Sequence, residues 1–478
     1  MTSLLLRGGR VVDPANGVDE VRDLLVVDGR VARTGTPDSV LDVDGCIVGP
    51  GFVDLHSHVN GIAGQRLQAL DGVTTSLELE AGLFPVARAY ADAAAEGRPL
   101  NYGFSASWAG ARAKVLCDIE QDASIMKTLH VLGDERWQRT STKAELAAWL
   151  DLLARELGDG ALGIGVLMGY APQTDPAELV AVGRLAADVG VATYTHVREI
   201  VESDPATPVD GSLEIAQVAA ETGAHMHHCH INSTSRRHIE RVLRTIDDAR
   251  REGSRVTVET YPYGAGSTAV GAFFLDPSRL ARWDLTPASI TVVETGEVLS
   301  LERLVALRAT APQTPVIISF FDEEIDVRLL EMSLAFPDAI VASDAMPLVW
   351  PDGAPDPRAW PLPGGGQTHP RTAGTFMKVL RLMVRSGQWT WPEAFRRCSL
   401  LPAQVLSFVP GAVAKGHLGL GADADIVVID PAIMTDSATY IEPTVPSVGV
   451  RHLLVHGEPV VRDGQIVPDA YPGRALRR

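Results

Sequence analysis

The hydrophobic pattern from about residue 50 to 410 alternates between two periods. Short apolar runs typical of buried strands are followed by stretches in which apolar residues recur every three or four positions. The clearest such stretch covers 239–249 and ends before Gly253, which predicts a helix there. Asp175 and Pro176 predict the start of another, as an N-cap followed by proline in the first turn. Strand followed by helix, repeated, predicts an α/β fold with a parallel sheet.

The two ends of the chain have a pattern that differs from that of residues 50–410, because they contain short predicted strands separated by Gly, Asp and Pro turns. We expect the two ends to fold together as one small β domain, formed by 1–49 and 411–478, because each end alone is too short to bury a sheet. Residues 50–410 would then form the catalytic domain, with an insertion at about 269–310. The predicted terminal strands are 4–7, 11–12, 23–27, 31–33, 47–48, 426–429, 453–455 and 460–461.

Composition describes a globular enzyme and excludes several classes of partner. The chain has 478 residues, of which 46% are hydrophobic and 21% charged. A formal net charge of -18 argues against a nucleic-acid or anionic-membrane surface, because phosphates must be met by clustered Lys and Arg. No run approaches the roughly 20 apolar residues that a membrane helix needs.

The four cysteines, Cys46, Cys117, Cys229 and Cys398, are far apart and form no CxxC pair. This spacing predicts neither a disulfide framework nor a thiolate zinc site. The N-terminus lacks the basic region and cleavage site of a secretory signal. We therefore expect a cytoplasmic protein, and the sequence leaves a homo-oligomer open.

Potential metal ligands recur where apolar runs end. The segment GFVDLHSH places His56 and His58 on the same side of a strand, so both imidazoles can bind one ion. The other residues of this kind are Glu80, His196, His230 and Asp344. Side chains at successive strand ends are what a metal site at the mouth of a (β/α)8 barrel requires. Taken singly, His196 could be a surface histidine and Asp344 a helix N-cap.

Several motifs carry a family resemblance over almost the whole chain. PGFVDLHSH resembles the first-strand signature of the amidohydrolase superfamily, metal-dependent hydrolases with a (β/α)8 barrel and a small β domain. THVRE, HHCHINSTS, YPYGAGST, ASDAMP and HPRTAGTF are similar to motifs of its N-acyl-D-amino-acid deacylase branch, which includes D-aminoacylase and N-acyl-D-glutamate deacylase. The implied fold is a TIM-like barrel with a β-sandwich domain formed by both termini.

The resemblance also implies a role for each strand-end residue. His56 and His58 would bind one metal, His196 and His230 the other, and Asp344 would be the catalytic acid/base as well as a metal ligand. Neutral imidazole suits zinc, and one or two Zn²⁺ ions are expected. Four histidines crowd 225–230, so at least two are not ligands; the motif favours His230, with His227 next.

The second strand departs from the branch, in which a cysteine ligates the metal. Here the matching position is Ala81, preceded by Glu80 and, two residues earlier, by Glu78. Two acids on one face of an apolar strand are costly to bury without a cation. We expect Glu80 to replace the thiolate, with Glu78 as the alternative and Cys229 as a small core residue.

Recognition of the substrate depends on the later motifs. Arg371 resembles the family arginine that binds the substrate carboxylate, which suits guanidinium geometry. Tyr261, Tyr263 and Ser267 resemble supporting hydrogen-bond donors. Asn232 stands where the branch usually has a lysine, so one positive contact to the substrate is lost.

The sequence thus predicts a zinc-dependent hydrolase of C–N bonds that deacylates an N-acyl-D-amino acid, with a D-glutamate-like side chain among the candidates. A metal-bound hydroxide would attack the acyl carbonyl while Asp344 transfers the proton. The expected partner is a small molecule that carries a carboxylate. One alternative is a dipeptidase or cyclic-amide hydrolase such as a hydantoinase, although GALGIGVLMGY lacks the lysine of those relatives. A more remote alternative is a scaffold without catalytic activity.

Overall fold

The largest sheet has eight strands whose spatial order follows the order of the chain. The structure is a computed structural model, and it describes residues 3–478. Neighbouring strands pair in parallel, as Ile164 does with Thr193 and Thr193 with Met226. The strands, called the first to eighth barrel strands, are Phe52–Asp54, Val73–Leu83, Asn101–Ser107, Ile164–Leu167, Ala192–His196, His225–His228, Val256–Thr260 and Ile340–Val341. The predicted (β/α)8 barrel is confirmed.

Helices follow the strands along the chain, as the alternating periodicity predicted. The main α-helices are Ile62–Leu70, Val86–Glu96, Trp108–Cys117, Ile125–Val131, Glu135–Gln138, Lys143–Gly158, Pro176–Val189, Gly211–Thr222, Ile231–Ser235, Ile239–Arg251, Leu301–Thr310, Val327–Ala335, Arg371–Val379, Trp391–Phe395 and Leu401–Val405. Two π-helical turns, Leu380–Val384 and Arg396–Leu400, extend the helices that precede them. The helices Pro176–Val189, Gly211–Thr222 and Ile239–Arg251 contact barrel strands, and such helices cover the outer side of a parallel sheet.

Local sequence explains where the predicted helices begin and end. Ile239–Arg251 buries the five apolar residues of the 239–249 pattern. Gly253, just after this helix, has φ +95, a conformation that glycine adopts without steric cost. Asp175 accepts a hydrogen bond from the backbone of Ala177 at 2.9 Å and so caps the helix that starts at Pro176.

Two further sheets come from the ends of the chain: the first contains N-terminal strands alone, and the second combines strands from both ends. One has the order Arg30–Ala32, Leu24–Val27, Ser3–Arg7, Ser39–Asp42. The other has the order Gln465–Ile466, Glu458–Arg462, Val450–Val455, Ile426–Ile429, Ile47–Pro50, Arg10–Asp13, Val18–Val21. The pair Ile47–Pro50 and Ile426–Ile429 is antiparallel and joins the two ends. Apolar side chains of both sheets share one core, so the predicted β sandwich of the termini is confirmed.

An antiparallel sheet of three strands separates the seventh and eighth barrel strands. It consists of Ala265–Ala269, Ile290–Val292 and Pro315–Ser319, with the last strand in the middle. Short 3-10 turns and the helix Leu301–Thr310 connect these strands. The irregular sequence at about 269–310, where we expected an insertion, lies within this segment.

The chain divides into two compact units. The first contains 3–77, 93–103 and 340–477, and the second contains 78–92, 104–339 and 478. The boundaries of these units differ from the domain boundaries predicted from the sequence. The predicted boundaries at 49 and 411 therefore stay a prediction. No helix among residues 3–478 combines the length and the apolar character that crossing a bilayer requires.

A buried cation holds together the segment that leads into the second terminal sheet. Lys415 Nζ lies 3.0 Å from Asp423 Oδ2 and 2.6 Å from Asp425 Oδ2, and all three side chains are buried. Arg30 adds a contact of 2.8 Å to Asp423. Although burial opposes ionisation, the hydrogen bond from His456 and the charge of Lys415 hold the pKa of Asp423 below its ordinary value. The two carboxylates therefore depend on Lys415 for their charge balance.

Lys415→Met is expected to lower the free energy of unfolding by about 3–5 kcal/mol, because it removes the buried cation that contacts Asp425 and leaves Asp423 with Arg30 alone. Urea unfolding at pH 7, followed by circular dichroism, measures the loss. The control is Arg7→Met, which removes an exposed pair with Asp42 and is expected to change little. Equal losses in the two variants would contradict the role assigned to Lys415.

Candidate metal centre

The second barrel strand carries two carboxylates into a buried environment. All residues of Val73–Leu83 are buried, including Glu78 at 1% and Glu80 at 4% exposure. Side chains two residues apart lie on the same face of a strand. Burying a carboxylate is unfavourable unless a cation or hydrogen-bond donors compensate it. This strand therefore needs positive partners at its carboxyl end.

Glu80 meets two imidazoles in the second unit. His230 Nε2 lies 2.7 Å and His196 Nδ1 lies 3.2 Å from Glu80 Oε1. One ligand atom from each of the three residues lies within 4.8 Å of the others. His196 ends the fifth barrel strand, and His230 follows the sixth by two residues. Two imidazoles with one carboxylate form a donor set of catalytic zinc sites, so these residues fit a zinc ion.

The backbone and ring of His230 are both held in place. Its φ is +31, which is uncommon for a residue with a side chain. Its N–H donates to Glu259 Oε1 at 3.2 Å, and its Nδ1 lies 2.9 Å from Ser233 Oγ. A partner at Nδ1 fixes which ring nitrogen is left for a metal, and here that nitrogen is Nε2. Glu259 and Ser233 were not identified from the sequence.

The other histidines of 225–230 have different partners. His227 lies 2.9 Å from Glu259 Oε2 and 2.8 Å from Thr257 Oγ1. His225 contacts the same threonine hydroxyl at 2.9 Å. Burial lowers the pKa of both His225 and His228 to about 3, so these two rings are neutral at ordinary pH. Within this segment, the structure places His230 against Glu80 and leaves His227 as its support through Glu259.

Aromatic side chains form one wall beside His196. The Tyr170 ring lies 4.7 Å from the His196 ring, and its hydroxyl lies 2.8 Å from Thr268 Oγ1. The Phe274 ring stacks on the rings of His196 and Trp283, with distances between ring centroids of 6.2 Å and 4.8 Å. Thr268, Phe274 and Trp283 all belong to the segment after the seventh strand. These contacts were not predicted from the sequence, because they join residues far apart in the chain.

A second group of functional side chains lies in the first unit. His56 Nε2 and His58 Nε2 are 3.2 Å apart, and Asp344 Oδ1 lies 3.3 Å and 3.5 Å from them. Asp344 has φ +50, a conformation often found at functional sites when a residue other than glycine adopts it. Arg371, which is fully buried, places Nη2 2.8 Å from the same Asp344 oxygen. The structure thus brings His56, His58, Asp344 and Arg371 together.

Asp54 ties the first barrel strand to the eighth. Its Oδ1 accepts hydrogen bonds from the backbone of Ser343 at 3.0 Å and of His56 at 3.3 Å. Its other oxygen accepts from the Ser343 hydroxyl and from Gln68 Nε2, the latter at 3.0 Å. Burial raises the pKa of Asp54 to about 7 despite these hydrogen bonds. Asp54 therefore positions both His56 and the residue before Asp344, a role that the sequence did not reveal.

The residues predicted to contact the substrate, Asn232, Tyr261, Tyr263 and Ser267, differ in hydrogen bonding, burial and orientation. The Asn232 amide donates to Tyr261 O at 3.1 Å and accepts from Thr260 Oγ1 at 3.2 Å, so it joins two backbone segments. Tyr261 and Tyr263 are buried at 1% and 2% exposure. Ser267 and Thr268 are neighbours on one strand, so their side chains point to opposite faces. Since Thr268 faces Tyr170, Ser267 faces away from it.

Comparison with known proteins agrees with this arrangement. The profile of the "Amidohydrolase family" matches residues 39–461. The N-acyl-D-glutamate deacylase of Alcaligenes xylosoxydans xylosoxydans is 27% identical over 99% of this chain and 96% of its own length. D-aminoacylase of the same organism is 27% identical over 99% and 97%. The crystal structure of N-acyl-D-glutamate deacylase from Bordetella bronchiseptica, complexed with zinc and a phosphonate inhibitor, is 26% identical, with a TM-score of 0.75 and 99% of both chains covered.

Glu80→Gln is expected to weaken zinc binding at least about tenfold, because even a residue that only orients a metal ligand contributes that much. Glu78→Gln is the matched control on the same strand face and is expected to keep the zinc content of the unmodified protein. Elemental analysis after dialysis against a graded zinc buffer gives both values. Zinc lost from the Glu78 variant and retained by the Glu80 variant would assign the ligand to Glu78 instead.

Proposed function

The chain belongs to the amidohydrolase family, and from that membership we propose that it is a zinc-dependent amidase that deacylates N-acyl-D-amino acids. The observation that carries the proposal is the cluster of Glu80, His196 and His230, in which a carboxylate and two imidazoles converge at buried strand ends. An N-acyl-D-glutamate-like compound is the first candidate substrate, because relatives over 99% of the chain carry that name.

We propose that each of the two groups of side chains holds a metal ion. Glu80, His196 and His230 would hold one zinc ion, while His56 and His58 would hold a second. Support comes from their positions along the chain: His196 ends a barrel strand, His56, His58 and His230 follow one, and Glu80 lies near the carboxyl end of its strand. Bound zinc would polarise the amide carbonyl and make water a better nucleophile. The remaining chemistry is assigned to side chains of this protein.

Asp344 is proposed as the general base and acid. Its carboxylate is close to His56 and His58, with Oδ1 3.3 Å and 3.5 Å from their Nε2 atoms. In this role it takes the proton from the attacking water and then delivers it to the nitrogen that leaves. The Asp54 carboxylate accepts hydrogen bonds from the backbone N–H and the hydroxyl of Ser343, and these hold the residue that precedes Asp344.

Arg371 is proposed to bind the carboxylate of the substrate. A buried guanidinium next to the proposed base can orient an amino-acid carboxylate so that the scissile amide faces Asp344. Its contact with Asp344 at 2.8 Å also fixes the direction of that carboxylate. The four cysteines are buried, and Cys46, Cys117 and Cys398 are free thiols, which suits the cytoplasmic location that we propose.

The substrate assignment is tested with zinc-loaded protein and a panel of N-acetyl and N-formyl D- and L-amino acids. Hydrolysis is expected for D-amino acids with a free α-carboxylate, with N-acetyl-D-glutamate in the first panel. Release of the free amino acid, measured by chromatography, is the readout. Turnover of hydantoin or an isoaspartyl dipeptide, with all N-acyl-D-amino acids untouched, would replace the proposal by the cyclic-amide or dipeptidase alternative.

Asp344→Asn is expected to lower kcat by at least about 100-fold, because an amide cannot accept the proton of water. Zinc content of the variant is measured in parallel, which separates loss of the base from loss of metal. A variant that retains zinc and near-normal kcat would remove Asp344 from the mechanism.

Arg371→Lys is expected to raise KM for a substrate with an α-carboxylate more than it lowers kcat, because lysine keeps the charge but loses the bidentate geometry. The matched comparison is an N-acyl amine that lacks the carboxylate. For this substrate, the unmodified protein and Arg371→Lys should have similar kcat/KM. An equal decrease for both substrates would show that Arg371 acts only by positioning Asp344.

A further inference from the structure

The fourth barrel strand approaches two of the proposed metal ligands without supplying one itself. The strand Ile164–Leu167 and the 3-10 turn Met168–Tyr170 that follows it contain no histidine, cysteine or acidic residue, the usual ligands of zinc. They do contain two buried glycines, Gly165 and Gly169. Glycine in a strand often marks a place where another group comes close to the backbone.

Gly169 packs against the ring of His196. Leu167 pairs with His196 in the sheet, so the turn that follows Leu167 lies beside that ring. A methyl group at Gly169 would lie 2.4 Å from His196 Cδ2 and 2.8 Å from its Nε2, as well as 2.6 Å from Val197 O. Carbon atoms in contact are about 3.5–4.0 Å apart, so alanine fits only if the ring moves. The Nε2 edge of the ring thus faces this backbone, while Nδ1 lies 3.2 Å from Glu80 Oε1.

The same turn places an aromatic ring on His196. The centroid of the Tyr170 ring is 4.7 Å from that of His196, and the Tyr170 hydroxyl lies 2.8 Å from Thr268 Oγ1. One edge of the imidazole therefore meets the backbone of Gly169, and another side meets Tyr170. Close packing of this kind restricts the ring to one orientation.

Gly165 makes a similar approach to the second barrel strand. A methyl group there would lie 2.5 Å from Leu79 O and 2.4 Å from Glu80 O. Ser105 Oγ, which donates to Leu79 O at 2.6 Å, would be 2.8 Å away. Backbone oxygens cannot rotate aside as a flexible side chain can. A side chain at Gly165 would therefore displace the part of the strand that carries Glu80.

We propose that Gly165 and Gly169 are positioning residues of the zinc site formed by Glu80, His196 and His230. Gly165 lets the fourth strand lie against the backbone of Glu80, and Gly169 directs His196 Nδ1 toward the Glu80 carboxylate. Bonds from zinc to nitrogen and oxygen ligands are about 2.0–2.2 Å long, so small displacements of either ligand weaken binding. The inference rests on the proposed zinc site and makes no use of the substrate.

The zinc affinity of Gly165→Ala and Gly169→Ala tests the proposal. Metal-free protein is titrated with zinc against a chromophoric chelator, without substrate, and the binding component that Glu80→Gln weakens identifies the site. Each alanine variant is expected to weaken this component about tenfold or more, as is typical when a residue that orients a metal ligand is changed. An unchanged component in either variant would overturn the role of that glycine.

Gly183→Ala is the matched control for steric crowding away from the metal. Its added methyl group would lie 2.5 Å from Val218 Cγ1, where the helices Pro176–Val189 and Gly211–Thr222 meet. This variant is expected to lower the Tm of the metal-free protein and to leave the zinc component unchanged. Equal weakening of zinc binding in Gly183→Ala would overturn a specific role for Gly165 and Gly169.

Tyr170→Leu and Tyr170→Phe test the constraint on His196 without enlarging any side chain, and they apply even if the alanine variants fail to fold. Leucine removes the ring beside His196 and is expected to weaken the same zinc component, whereas phenylalanine keeps the ring and should preserve it. Unmodified affinity in Tyr170→Leu would contradict the constraint. Since no substrate is present, failure of the N-acyl-D-amino-acid panel and failure of this inference are separate results.

Discussion

The arrangement of the metal centre depends on the cost of placing a carboxylate inside a barrel. Every residue of the strand Val73–Leu83 is buried, so Glu80 can stay ionised only if other groups replace its water. His196 and His230 supply those contacts from the ends of two other strands. A cation between the three groups resolves the same electrostatic problem better than the imidazoles alone, because it adds a full positive charge. The supporting contacts of Ser233 and Glu259 then serve to keep His230 in place.

Much of the fold followed from local patterns. Side-chain alternation in a strand is local, so the position of His56 relative to His58 could be predicted from two residues. Helix ends such as Gly253 depend on neighbouring residues only. The sandwich of the termini could be predicted because each end lacked enough apolar surface to be stable alone.

Contacts between distant segments could not be predicted in this way. The hydrogen bond between Asp54 and Ser343 joins residues 289 positions apart, and no periodicity reports such a pair. The same applies to Tyr170 with Thr268 and to Phe274 on His196. Asn232 shows the limit of reading a substitution alone. Its sequence position indicated a lost positive contact, whereas the structure gives its amide a role in joining the backbone near Tyr261.

The pairing of Ile47–Pro50 with Ile426–Ile429 has a consequence for biosynthesis. The strand Ile47–Pro50 leaves the ribosome long before Ile426–Ile429 is synthesised. Its edge toward that strand therefore stays unpaired while the whole barrel is translated. An open edge of this kind is a template for association with other nascent chains. The barrel can begin to form during translation, but the sandwich is completed only after synthesis is nearly finished. Chaperone capture of the early N-terminal strands would protect the chain during that interval.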